Sequence, residues 1–323
     1  MALKYDPEYY KAIEPLIPMM ASQPKPPPND VETRRKVFEP SLALMANTLP
    51  DSPLVEQTEH TIDTPAGHKL SVYSFIKKGG APSQAPGPAV LHCHGGGMIL
   101  GSVAMMAKPV ASLVDKTSIP MFSVEYRLAP GAQDSALVED CYAGLVWLME
   151  NASKFNVDPK RIAVMGESAG GGLAAGVALM ARDKKLSPPL AKQILIYPML
   201  DDRNLVTNEV LAPFAVWNYA DNITGWTALL GDKAGNPDAD VSIYAVPARA
   251  KSLAGLPPTY IDVGGLDIFR DEDLAYASRI AAEDIEVEFH LYPGLPHGFE
   301  IFCPQTNVTK NVLENRFKAL MSF

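Results

Sequence analysis

A succession of short apolar runs, each followed by a stretch of helix length, constrains this 323-residue chain more than any other feature. The runs are "PAVLHCH" from Pro88, "PMFSVEY" from Pro120, "RIAVMG" from Arg161, "QILIYP" from Gln193, "PTYIDVG" from Pro258 and "EVEFHLYP" from Glu286. They do not alternate cleanly between apolar and polar residues, which implies strands buried on both faces, as in a parallel sheet. The stretches 135–156, 169–184 and 271–284 carry helical spacing. Repeated strand–helix units of this kind predict an α/β fold, a doubly wound and mostly parallel sheet. No internal repeat is present.

Two regions stand outside this rhythm. Residues 1 to about 50 are short amphipathic segments broken by "QPKPPPND" at 23–30. Proline fixes φ and lacks an N–H, so this break separates two helical pieces. The interval 201–256, with "WNYADNITGW", is too long for a plain crossover. Together the two regions are candidates for a piece covering one edge of the sheet. Between them, "EQTEHTID" and "HKLSVYSFI" predict a strand pair around the turn "TPAGH", and the composition of 79–88 predicts a surface loop.

Charge and composition narrow the partners. A net charge of −9 and a pI near 5.2 disfavour nucleic acid or an anionic membrane, both of which call for a basic face. The cysteines, Cys93, Cys141 and Cys303, form no C-x-x-C pair, so a disulfide framework is not expected and a reducing, cytoplasmic setting is. The first twenty residues lack the apolar core of a secretory leader, and no apolar run reaches the length of about 18 residues that a membrane span needs. The N-x-[ST] triplets at Asn151, Asn222 and Asn307 then read as chance matches.

The chemistry is concentrated in "RIAVMGESAGGGLAAGVALM". A strand runs into Gly166-Glu167-Ser168-Ala169-Gly170 and then into a helix of small residues, the G-x-S-x-G nucleophile elbow in its required context. The flanking glycines leave room for neighbouring backbone, and the helix N-terminus favours a developing anion. A serine needs a base and an orienting acid. Asp267 lies just past the strand "PTYIDVG", and His297 lies in a Pro/Gly-rich loop past the last strand. Asp271, at the start of the following helix, is a second candidate acid. His290 falls within a strand, and His60 and His68 belong to the early hairpin.

With these residues, the chain resembles the hormone-sensitive-lipase-like branch of the α/β-hydrolases. The matching motifs, in order, are His94-Gly95-Gly96-Gly97, Tyr126-Arg127-Leu128-Ala129-Pro130, "GESAGG" from Gly166, Asp267 in "GGLDIFRDED" and His297 in "HGF". The resemblance covers about residues 58 to 323. The resemblance implies an α/β-hydrolase fold and a serine carboxylesterase with the triad Ser168, Asp267 and His297. It also implies an oxyanion hole from the backbone N–H groups of Gly96, Gly97 and Ala169. It further implies a helical cap, formed by residues 1–55 and an insertion at about 201–256 in a catalytic domain of residues 56–323. The chain departs from the family pattern at Gly131-Ala132-Gln133-Asp134-Ser135, at Met98 and at Glu167.

The expected partner is a small ester of short to medium acyl chain, with no cofactor and no metal; a homodimer is admissible. Met98, Trp217, Tyr219 and Trp226 are candidate substrate-binding residues, as are Met105 and Met106 near the glycines, although each serves equally well as packing. Rival readings keep the serine but change the acceptor, as an acyltransferase, thioesterase or lactonase, or abandon catalysis for ligand binding. His92 and His94 share a strand face, but no further cluster supplies the ligands of a zinc site. No G-x-x-x-x-G-K-[ST] pattern supports a phosphate loop.

Overall fold

The computed structural model describes residues 2–79 and 85–323; the expected surface loop at 79–88 therefore lies largely outside the described residues. Its strands are β1 (Val55–Asp63), β2 (Lys69–Lys77), β3 (Gly87–Cys93), β4 (Met121–Val124), β5 (Val157–Glu167), β6 (Lys192–Ile196), β7 (Thr259–Gly264) and β8 (Val287–Tyr292). They form one sheet in the order β1-β2-β4-β3-β5-β6-β7-β8. The hairpin β1–β2 adds antiparallel to β4, and every other pairing is parallel. The fold is the doubly wound, mostly parallel α/β sheet that the apolar runs predict.

The helices are α1 (Pro7–Ile13), α2 (Ile17–Ser22), α3 (Val31–Thr48), α4 (Val103–Thr117), α5 (Ala136–Glu150), α6 (Ala169–Asp183), α7 (Tyr219–Leu230), α8 (Arg270–Ala281), α9 (Phe299–Phe302) and α10 (Asn307–Leu320). Successive strand residues point to opposite faces of a sheet, and the core divides accordingly. Leu91, Phe122, Val164, Leu195 and Ile261 join a cluster with α5 and α6, whereas Val90, Met121, Ala163, Ile194 and Tyr260 join one with α4 and α10. Burial of each Leu, Ile or Val at these positions contributes about 1.5–3 kcal/mol. β8 differs from expectation. Like β1 it is an edge strand, and its residues are exposed or half-buried, because among the described residues no further strand pairs with it.

The Pro-rich break does separate two helical pieces: α2 ends at Ser22, and α3 starts after Asp30, whose side chain accepts from Thr33 N. At the amino end, Asp6 caps α1 by accepting from Glu8 N and Tyr9 N. α1 buries Tyr9 and Ile13 against Leu295, Phe299, Cys303 and Val312. The Asp6 N–H donates to Gly294 O at 2.9 Å, so this segment braces the loop that carries His297. α3 is tied to two other places. Arg35 donates to Ile99 O and Ala129 O, and the Asn29 N–H donates to Thr224 Oγ1 in α7. Arg34 pairs with Asp221 of α7 at 2.9 Å, with both side chains buried. No helix among the described residues is long and apolar enough to cross a membrane.

Arg34 also donates to the Pro26, Pro27 and Asp30 carbonyls, so its loss would orphan the buried Pro26 acceptor as well as the Asp221 carboxylate. Burial already pushes the Asp221 carboxyl upward against the pull of Arg34 and the Asn218 N–H. Removing one partner of such a buried pair costs about 3–5 kcal/mol. Arg34→Met should therefore lower the denaturant midpoint by a corresponding amount. A midpoint unchanged within error would show that α3 and α7 do not depend on this pair.

Candidate active site

The strands end at one level, which brings distant loops together. In the parallel registers Cys93 lies opposite Gly166, Glu167 opposite Ile196, and Asp262 opposite His290. The residues after β3, β5, β7 and β8 thus meet at the carboxyl edge of the sheet, the usual place for a site in an open α/β fold.

Ser168 sits between β5 and α6 with φ 57° and ψ −122°, a strained conformation for a residue with a side chain. Neighbouring backbone explains the glycines. A Cβ on Gly166 would lie 2.2 Å from Gly170 O, and one on Gly170 would lie 2.0 Å from Cys93 O. The Ser168 Oγ is 2.9 Å from His297 Nε2, and His297 Nδ1 is 2.6 Å from Asp267 Oδ2. The other Asp267 oxygen accepts from the Phe269 N–H at 3.0 Å. Asp267 is fully buried, and Ser168 and the His297 side chain keep narrow access to solvent. A carboxylate at this distance accepts from Nδ1–H, the tautomer that leaves Nε2 facing the serine hydroxyl as an acceptor. Asp271, the second candidate acid, is instead exposed and paired with Arg270.

The glycine turn after β3 lies directly beside this serine. A Cβ on Gly95 would be 3.0 Å from Glu167 O and 3.6 Å from the Ser168 Cβ. Gly96 has φ 130°, and a Cβ there would overlap Leu100 O at 1.9 Å. Gly97 has φ 59°, and its Cβ would fall 2.1 Å from Cη2 of Trp217, so the indole rests on bare backbone. α7 comes equally close, since a Cβ on Gly225 would be 2.7 Å from Gly97 O. The histidines of this stretch hold the turn. His94 stacks on Tyr126 with ring centroids 4.2 Å apart and its Nδ1 lies 2.8 Å from Gly95 O, while the Tyr126 hydroxyl donates to His94 O. Burial lowers the His94 pKa to about 4, so it is a neutral spacer above that pH. His92 lies between Ser123 Oγ at 2.8 Å and Glu167 Oε2 at 2.9 Å.

The remaining candidates fall into place around this centre. Ala169 is the first residue of α6 and is fully buried. Met98 and Trp226 are buried in the core at 1% and 0% exposure. Trp217 and Tyr219 keep 9% and 6%, and Trp217 lies against the glycine turn. His60 contacts Ser74, His68 contacts Asp140, and His290 contacts Glu288. Among the described residues, no group of three or more His, Cys, Asp or Glu side chains could hold a metal ion. The sequence reading missed the Trp217–Gly97 contact and the buried charges near His297. Both join residues far apart in the chain, and no local spacing marks them.

With this geometry in place, comparison with known proteins is informative. A family model described as the alpha/beta hydrolase fold matches residues 90–301. The chain belongs to the α/β-hydrolase family, in its hormone-sensitive-lipase-like branch. It is 35% identical over 230 residues to esterase LipI of Mycobacterium tuberculosis, covering 68% of this chain and 67% of the relative. Among solved structures, a bacterial heroin esterase superposes with a TM-score of 0.88 at 33% identity, covering 98% of this chain and 97% of that one. A hyperthermophilic esterase from the archaeon Pyrobaculum calidifontis gives 0.81 at 30% identity, with 99% of both chains covered.

One buried group beside the triad has a consequence for stability. Asp273, in the first turn of α8, is fully buried, and neither carboxyl oxygen has a partner among the described residues. Burial, reinforced by Glu272, Asp267 and Asp262, pushes its pKa well above the usual carboxylate range. A raised folded pKa gives stability that is complete below the unfolded pKa and is lost as pH rises through the folded one. Asp273→Ala should therefore gain stability relative to the parent as pH is raised from 4 to 8, measured by denaturant unfolding. A difference that stays constant over that range would contradict the neutral buried acid.

Proposed function

We propose that this chain is a serine carboxylester hydrolase with Ser168 as nucleophile, His297 as base and Asp267 as orienting acid. The single observation that carries this reading is the unbroken chain from Ser168 Oγ through His297 to Asp267, at 2.9 and 2.6 Å. The esterase names of the relatives agree with it.

In this mechanism His297 takes the hydroxyl proton as Ser168 attacks the ester carbonyl, then gives it to the departing alcohol. Asp267 keeps the useful tautomer and stabilises the imidazolium. The backbone N–H groups of Gly96, Gly97 and Ala169 receive the tetrahedral oxygen, each donor being worth about 10²–10³ in rate. Water then attacks the acyl-enzyme with His297 again as base. The closeness of the Gly95 backbone to Ser168, and the absence of side chains at Gly96 and Gly97, support this assignment of the hole.

Residues 1–55 and about 201–256 act as the cap. In support, α3 joins α7 through Arg34–Asp221, and the Trp217 indole lies on Gly97. A wall of indole over the glycine turn limits the acyl side and favours short to medium chains, a chemistry of small esters rather than long lipids.

Two measurements test this. Ser168→Ala should lose labelling by a fluorophosphonate probe and lower kcat by about 10⁴-fold or more; labelling that persists would remove Ser168 as nucleophile. Across p-nitrophenyl esters of increasing acyl length, kcat/KM should peak at short to medium chains. A maximum at the longest chains would reject the Trp217 wall as a limit on acyl size.

A further inference from the structure

Beside His297 lies a set of buried side chains that the mechanism above does not use. Tyr197 directly follows β6 and has φ 34°, a left-handed conformation that costs a tyrosine energy and must be held by its surroundings. Its N–H donates to Asp262 O at 2.7 Å. Its ring lies 4.5 Å from the His297 ring at an interplanar angle of 61°, and Phe269 meets the same imidazole at 5.2 Å and 84°. The base is therefore gripped by two aromatic contacts.

The hydroxyl of Tyr197 donates to Glu300 Oε1 at 2.6 Å. Arg316, from α10, donates to that oxygen and also forks onto Asp262 at 2.7 and 2.9 Å. The guanidinium lies over the Tyr197 ring at 5.3 Å and over Phe299 at 5.6 Å. The Tyr260 hydroxyl donates to Asp262 Oδ2 at 2.9 Å. Burial opposes the Glu300 charge, but Arg316 and the Tyr197 hydroxyl outweigh it and hold the carboxyl below its usual range.

One guanidinium and two carboxylates, Asp262 fully buried and Glu300 keeping 16% exposure, make a costly way to fill space, since apolar residues of the same volume are often at least as stable. What the charged set provides is direction. Glu300 is close to His297 in the chain, and Arg316 pins Glu300 and Asp262 together. Tyr197 spans the gap between that anchor and the imidazole.

We propose that Tyr197 is a positioning residue for the reaction: anchored by Glu300 and Arg316, its ring fixes the plane of His297 so that Nε2 stays on Ser168 while Nδ1 stays on Asp267. This rests on the triad reading above. A base held by Asp267 alone could still rotate about that bond, and misplacement of about 1 Å lowers rate by about 10²-fold.

The test uses Tyr197→Phe, which keeps the ring but frees it from Glu300, and Tyr197→Leu, which removes the ring contact. Turnover of a p-nitrophenyl ester, and the low-field proton resonance of the His297–Asp267 hydrogen bond, are measured on folded protein. Tyr197→Phe should lower kcat about tenfold and Tyr197→Leu about 10²-fold, with KM within about twofold and the resonance broadened or shifted. If Tyr197→Leu does not fold, Tyr197→Phe decides alone. Folded variants with kcat within about twofold of the parent, or with lower kcat but an unchanged resonance, would overturn the proposal. Failure of the triad reading has a different signature, because activity would then survive in Ser168→Ala.

Discussion

The site depends on backbone meeting backbone without side chains between. Gly166 and Gly170 flank a strained serine, and the carbonyl of Cys93 occupies the space that a Cβ on Gly170 would need. Because Cys93 is also the register partner of Gly166, β3 and β5 end together, and the turn after one strand lies against the turn after the other. Glycine is required here for contact as well as for conformational freedom. A side chain at Gly170 would collide with the Cys93 and His94 carbonyls and push the glycine turn away from Ser168.

Around that contact the chain places charge in the interior, each time at a junction between remote segments. Arg34 and Asp221 join α3 to α7, and Arg316 joins α10 to Asp262 of β7 and to Glu300 of α9. Such pairs add little net stability over apolar packing, but they penalise any arrangement that separates the partners. They therefore hold α3 against α7, and α9 and α10 against β7, on an otherwise generic α/β sheet. Asp273 is the exception, a buried acid without a partner among the described residues.

Much of the framework was legible in the sequence because it rests on local pattern. The runs from "PAVLHCH" to "EVEFHLYP" each became a strand, and the proline cluster at 23–30 lies between two helices. Ser168 was marked by its strand–turn–helix context. The acid was not fully determined by pattern, since Asp267 and Asp271 both follow β7. The structure separates them, burying Asp267 against His297 and exposing Asp271 to Arg270. Aromatic content near 217–226 suggested a pocket; Trp226 is wholly buried, and the Trp217 indole rests on Gly97.

By itself, the sequence determined the alternation of elements, the direction of the sheet and the identity of the elbow serine. Those follow from hydrophobic period and from the conformations open to glycine and proline, which act over a few residues. Only the tertiary structure decided which carboxylate meets His297, what rests on Gly97, and that Tyr197, Glu300 and Arg316 converge beside that imidazole. These are contacts between residues at least 16 positions apart. Their existence depends on where strands end and helices cross, and no local preference encodes that.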